Sequence, residues 1–230
     1  MYNFKGISSD TIMLLEMNRF NNNKPFYEEH KKEINEGARQ QMGALSLDLA
    51  DTLYDIDENI LVNPKKVSRI RRDTRFTKDK TLYRANVWTI WHRPLEQGEM
   101  APGMWAEVSP QAVSWGVGFW GASPKFMAFF RQSLLEDYKG FVEAFLPLVE
   151  AGYVYFSTRY KRDREGTDQI PEVLREVYNQ KELYFMGASP DLSIISDSSF
   201  VDFMKEQMSL MKPMYHYLDK LYKNYCALEK

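Results

Sequence analysis

The chain has 230 residues, 44% of them apolar and 14% aromatic, with a formal net charge of −2. That supplies a core for one large domain or two small ones, and too little net charge to draw the whole protein onto nucleic acid or a membrane surface. The single cysteine, Cys226, excludes an internal disulfide framework, and no apolar run approaches the roughly eighteen residues that span a bilayer.

The opening MYNFKGISSD lacks the charged and apolar regions of a signal peptide. With the lone cysteine, this sets the expectation of a reducing, cytoplasmic location. GISSDTIMLLEMNRF reads as a short helix capped by Ser8 or Ser9. In NNNKPF, Asn23 as cap and Pro25 in the first turn open a second helix, extending to about Tyr54. Its apolar stripe runs from Phe26 and His30 through Ile34 and Ala38 to Leu45, Leu49 and Leu53.

After NPKK the period shortens toward two. VSRIRRDTRF, NVWTIWHR, MWAEVS and AVSWGVGFW read as strands. In the last, Val113, Trp115, Val117 and Phe119 share one face, and Ser114, Gly116, Gly118 and Trp120 the other. ASPKFMAFFRQSL starts a helix with Ser123 as cap and Pro124 at its first position. GFVEAFLPLVEAG is expected to be a helix broken near Pro147, YVYFSTRYKR a strand, PEVLREVYNQ a short helix and ELYFMGAS a strand. The end, from SSFVDFM to NYCAL, is largely helical with a kink at Pro213.

The sum is an α+β fold. A mainly antiparallel sheet, with strands within about 65–120 plus 152–160 and 182–187, is packed by N-terminal, central and C-terminal helices. Residues 1–230 read as a single domain, since no linker-like stretch interrupts them.

Three features are set aside. GVGFWG spells a dinucleotide fingerprint, but Phe119 and Trp120 are too bulky for a phosphate turn and no βαβ unit follows. Glycines on one strand face instead permit close approach of a helix or a ligand. His30, His92 and His216 are far apart with no His or Cys pair at ligand spacing, so neither a metal nor any other cofactor is expected. No nucleophile elbow occurs.

RIRRDTRFTKDKTLYR, residues 69–84, is the outlier. Seven basic residues against two aspartates give it +5, leaving −7 for the rest of the chain. On a regular strand Arg69, Arg71, Asp73 and Arg75 would line one face and Ile70, Arg72, Thr74 and Phe76 the other. Adjacent like charges repel unless an anion joins them. Asp73 pairs with only one guanidinium, and the arginine fork suits phosphate or carboxylate. The structural alternative is a set of ion pairs to acids elsewhere, such as Glu28, Glu29 or Glu107.

The pattern R-x-x-R-D-x-R-F-x-x-[DN]-K-x-x-Y, present as Arg69, Arg72, Asp73, Arg75, Phe76, Asp79, Lys80 and Tyr83, resembles the signature of a widespread family of uncharacterised bacterial proteins with fungal relatives. NNNKPFYEEHK, with Asn22, Asn23, Phe26, Tyr27, His30 and Lys31, is similar to a second region of that family, and SWGVGFWGASP to a third. Leu82 and Arg84 stand where the family commonly has proline and lysine, and Phe26-Tyr27 where it usually has Trp-Phe. The resemblance covers essentially the whole chain. It implies a common fold, no assigned activity, and a shared role for His30 and the arginine segment. It also poses a geometric problem, because Arg69 and Arg72 have opposite strand parity. A bulge near Arg71, or an end to the strand before Arg72, would reconcile them.

The leading expectation is a site for a small anionic, phosphate-bearing ligand. Arg69, Arg72 and Arg75 clamp it, Lys80 adds charge and Tyr83 a hydrogen bond. Asp73 orients an arginine or acts as base, with His30 as acid/base partner if the site is catalytic. The alternatives are a nucleic-acid interface using Phe76, Tyr83 and Trp88, and a structural or interaction protein whose arginines are internally paired.

Overall fold

The computed structural model describes residues 1–95, 100–119, 121–155 and 158–228. Ser8 caps α1 (Ser9–Asn21), its hydroxyl accepting from the Thr11 amide at 3.2 Å. Asn22 turns the chain in the left-handed region, φ 49°, which asparagine tolerates. Asn23 then caps α2 (Lys24–Ile34) by accepting from the Phe26 amide at 3.0 Å, with Pro25 in the first turn.

The expected long helix is not uniform. Asn35–Arg39 form a π-helical turn, followed by α3 (Gln40–Asp48) and, after an interruption at Leu49, α4 (Ala50–Ile56). The spacing accounts for the turn. Apolar residues four apart drift by about 40° per step around an α-helix, and a wider π turn takes the drift back. Ala38 within it and Leu45, Leu49 and Leu53 beyond it are fully buried, as is Ile34 just before it, whereas Phe26 and His30, further back, are half-buried. Gly37 lies within the π turn; a Cβ there would come 2.5 Å from Thr11 Oγ1, so glycine admits α1.

Strands β1 (Val87–Trp91), β2 (Gly103–Val108), β3 (Val113–Gly118) and β4 (Tyr184–Ser189) form a four-stranded antiparallel sheet in that order. The fold is α+β. In β1, Val87, Thr89 and Trp91 are buried and Trp88 and Ile90 half-exposed. The Trp91 indole donates to Ser46 Oγ at 3.0 Å, and Ser46 donates to the Met42 carbonyl at 3.1 Å, so a polar pair is satisfied within apolar surroundings. In β3, Val113, Trp115 and Val117 are buried, but so are Gly116 and Gly118. A Cβ on Gly118 would fall 2.4 Å from the Tyr184 Cα. The space it leaves is taken by a neighbouring strand. Trp120 lies outside the described residues.

Ser123 caps α5 (Pro124–Glu136), accepting from the Phe126 amide at 3.1 Å. Helix α6 (Lys139–Glu150) runs through Pro147, where a break was expected. The proline stands in the last turn, forfeits one ladder bond, and its carbonyl still accepts from the Ala151 amide at 3.1 Å. Helix α7 spans Glu172–Tyr178, and α8 (Ser199–Leu228) runs through Pro213. Of the strand expected at 152–160, the described residues make single bridges, Val154 to Met186 and Arg159 to Gln180. Phe156 and Ser157 lie outside the described residues. Among the described residues no helix is long and apolar enough to cross a membrane.

The chain divides into two compact units. The first comprises Met1–Trp91, Trp105–Trp115 and Ala188–Met208, with Leu45, Leu49, Trp91, Val113 and Phe200 in its core. The second comprises His92–Met104, Gly116–Gly187 and Ser209–Lys230. Its core is more aromatic: Phe130 packs edge-on against Phe141, and Phe141 stacks on Phe145 at 5.3 Å.

Candidate functional site

Segment 69–84 belongs to the first unit and folds back on itself. A single antiparallel bridge joins Arg71 to Tyr83. The Arg72 amide donates to the Leu82 carbonyl at 2.8 Å and the Arg84 amide to the Ile70 carbonyl at 2.9 Å. Regular pairing stops there, which frees Arg72 from strand parity.

Beyond Arg72 the loop is held by its own side chains. The Asp73 carboxylate accepts from the Arg75 amide at 3.1 Å and from its guanidinium at 2.7 to 3.2 Å. Asp79 accepts from the Thr81 amide at 2.9 Å and hydroxyl at 2.6 Å, and pairs with Arg72. Lys80 Nζ donates to the Thr74 carbonyl at 2.8 Å. The Leu82 amide donates to Asn22 Oδ1 at 2.6 Å, anchoring the return strand to the turn before α2. The acids that meet Arg72 and Arg75 therefore come from the loop itself. Glu28 instead pairs with Lys31 at 3.3 Å.

Two clefts open beside this loop. The larger, about 670 Å³, is lined by Arg69, Arg71, Arg72, Arg75 and Arg84, with Asp73 its one carboxylate and Trp88 its aromatic wall. Arg69 and Arg71 make no ion pair or side-chain hydrogen bond among the described residues, and both are exposed. Arg84 lies over the Trp88 ring at 4.6 Å and donates to the Arg69 carbonyl at 3.2 Å. Burial, and then the charges of Arg72 and Arg69, hold its guanidinium below the ordinary arginine value. Several like charges therefore act on one another without full compensation.

The second cleft, about 450 Å³, shares Arg72 and Arg84 and adds Arg19, Tyr83, Asn86 and Glu107. Glu107 of β2 accepts from Asn86 Nδ2 at 3.0 Å. Burial pushes its carboxyl above the usual range, against the opposing pull of that bond and of Arg84.

The residues expected from sequence separate into groups. Arg69, Arg72, Asp73 and Arg75 share the larger cleft, and Tyr83 lines the smaller. Lys80 lines neither. His30 also lines neither; its ring packs on Phe26 at 4.4 Å, and its buried Nδ1 lies 3.5 Å from a Glu33 oxygen without making a hydrogen bond. Bonds from Arg75 hold the Asp73 carboxyl below the usual range, which makes it an orienting group and a weak base. Arg84, Trp88 and Glu107 join the clefts as well; of these, Trp88 was expected only at a nucleic-acid interface and Glu107 only as a pairing acid, while Arg84 had no expected role. Arg84 was visible as a charge kept at a motif position, but its contact depends on the return strand. Among the described residues, no group of three or more His, Cys, Asp or Glu side chains is placed to hold a metal ion.

The family model described as conserved hypothetical protein (DUF2461) matches residues 10–217. The chain belongs to this family. The DUF2461 match takes in all of segment 69–84 and both clefts beside it. No curated protein and no solved structure matches the chain.

Proposed function

We propose that this DUF2461 protein binds a small phosphate-bearing anion in the larger cleft, and that the arginine signature is the feature its relatives share for that purpose. The observation that carries the reading is the state of Arg69 and Arg71. They are exposed, make no close ion pair among the described residues, and line the same cleft as three further arginines and a single carboxylate, Asp73, which feels the Arg69 charge but bonds to Arg75. Exposed ion pairs contribute little to stability, so five guanidiniums in one place serve folding poorly. Their planar forks match phosphate oxygens two at a time. Asp73 and Asp79 orient Arg75 and Arg72, and Trp88 backs Arg84. Such preorganisation lowers the ordering cost of binding.

The test is a thermal-shift screen of nucleotides and phosphorylated metabolites on wild type and on Arg69→Ala/Arg71→Ala. These substitutions orphan no carboxylate. A ligand at about one hundred times its Kd stabilises the native state by about 2.7 kcal/mol. A compound that stabilises wild type and not the double variant supports the reading, and equal shifts in both overturn it.

One feature favours nucleic acid instead. Phe76 is 92% exposed beside Arg75, whose guanidinium lies 5.4 Å from its ring, a surface on which a base can stack. Single-stranded oligonucleotide binding that collapses between low and moderate salt would transfer the site to that class.

A further inference from the structure

A second arginine cluster lies in the other compact unit, and one of its members is buried. Arg131 of α5 is 6% exposed. Arginine reaches such burial almost only when paired. Among the described residues no carboxylate pairs with it, and its Nη1 is buried without a hydrogen-bond partner. Its electrostatic neighbours are Tyr160, to which its side chain also hydrogen-bonds, Tyr178 and another cation, Arg164. Burial and the charge of Arg164 both hold its guanidinium below the ordinary arginine value.

Positive charge converges here on one ring. Arg131, Arg164 and Lys181 lie 5.6, 4.8 and 5.4 Å from the centroid of Tyr160. The face of a tyrosine attracts cations, but that attraction is small beside the cost of burying an unpaired ion. Among the described residues no acid pairs with Arg131 to balance the cluster.

There is room for an anion. A recess of about 350 Å³ is lined by Arg131, Arg164, Gln132, Gln169 and the Tyr178 ring, with the exposed Glu165 the acid on its wall. The Tyr178 hydroxyl donates to the Glu165 carbonyl at 2.6 Å, and the Arg164 amide to Asn179 Oδ1 at 2.7 Å, so the turn carrying Arg164 is fixed. Gly166 permits this approach: its φ is +87°, and a Cβ would stand 2.8 Å from the Tyr178 oxygen.

We propose that this recess is a second anion site, which takes the phosphate group of a small molecule between Arg131 and Arg164, with Lys181 adding charge. None of its lining residues lines the clefts beside segment 69–84, so it stands independently of that reading.

The test is isothermal titration with inorganic phosphate, and separately with glycerol phosphate, at constant ionic strength. It uses Arg69→Ala/Arg71→Ala as parent, which removes two arginines of the other cleft. One phosphate site is expected in the parent. In Arg131→Met that site is lost, while the phosphate-free Tm holds or rises because an unpaired charge has gone. In Arg164→Ala, an exposed position, affinity falls about tenfold or more, as loss of a bidentate contact implies. Tighter binding of glycerol phosphate than of phosphate assigns the site to a phosphomonoester, and the reverse to the free ion. No binding in the parent, or unchanged affinity in Arg131→Met, overturns the proposal. Should Arg131→Met fail to fold, Arg164→Ala decides alone, and unchanged affinity there overturns it equally.

Discussion

The Tyr27 ring of α2 stacks on the Tyr83 ring of the arginine segment, with centroids 4.8 Å apart and planes 29° from parallel. Tyr83 is 2% exposed, and burial raises its phenol above the usual tyrosine value. This stack and the Asn22–Leu82 bond join the charged loop to the helices before it. Tyr27→Ala should cost about 1–2 kcal/mol. Tyr83→Phe keeps the ring and should leave Tm within about a degree or two. Differential scanning calorimetry of the two variants checks both. If Tyr83→Phe holds its Tm yet weakens phosphate-ligand binding, the hydroxyl contacts ligand; a large drop in Tm contradicts the packing account.

Glu107 offers a pH dependence of known sign. Its folded-state pKa lies above the unfolded one, so its favourable contribution is fully present below the unfolded value, about 4.3 for glutamate. That contribution is lost as pH rises through the folded value, because ionisation is resisted by burial. Glu107→Gln should therefore raise Tm relative to wild type at neutral pH, with the difference shrinking toward pH 4. A Tm difference that grows on acidification would refute the assignment.

Ser46 receives the Trp91 indole inside the first unit. Ser46→Ala leaves that donor buried and unmatched, at about 1–3 kcal/mol. Chemical denaturation should show a lower midpoint with an unchanged m-value.

Gly118→Ala places a methyl group 2.4 Å from the Tyr184 backbone. Main chain cannot yield as a flexible side chain does, so a loss above about 3 kcal/mol, or failure to fold, is expected. A stable variant would mean that the β3–β4 pairing differs from that described.

Residues 1–230 should unfold as a single domain, since β2, β3, β4 and α8 each supply residues to both compact units. One calorimetric transition, with equal calorimetric and van't Hoff enthalpies, is the expected result. Two resolved transitions would count against it.

The helix starts were the most legible part of the fold because capping is local. Ser8, Asn23 and Ser123 each sit three residues before the amide they satisfy, and Pro25 and Pro124 follow two of them. The strands of 87–118 were legible from their alternation. The π turn was not, since a repeat of four residues fits an α-helix over any short window. The passage between units escaped notice for a related reason: it falls inside strands and a helix, so no linker composition marks it.

The arginine loop was legible as charge but not as geometry. Asp73 and Asp79 were in plain view, yet that each would hold an arginine of the same loop depends on where strand pairing ends. Arg131 carried no signal at all. In FMAFFRQSL it reads as a solvated helix position, and its neighbours Tyr160, Arg164 and Tyr178 are distant in sequence.

The π turn at Asn35–Arg39 makes α2 sensitive to chain length in a way its surface does not show. A π turn holds one residue more than an α turn of the same sweep, so deleting one residue there lets the helix close into α geometry with the flanking residues keeping nearly their directions, whereas closing the turn at full chain length swings everything before it by about 100°. Tyr27 would then face away from Tyr83, and the loop would lose its mooring while every arginine stayed in place. Drift in this lineage should thus tolerate a one-residue gap within those five positions more readily than an exchange that closes the turn at full length.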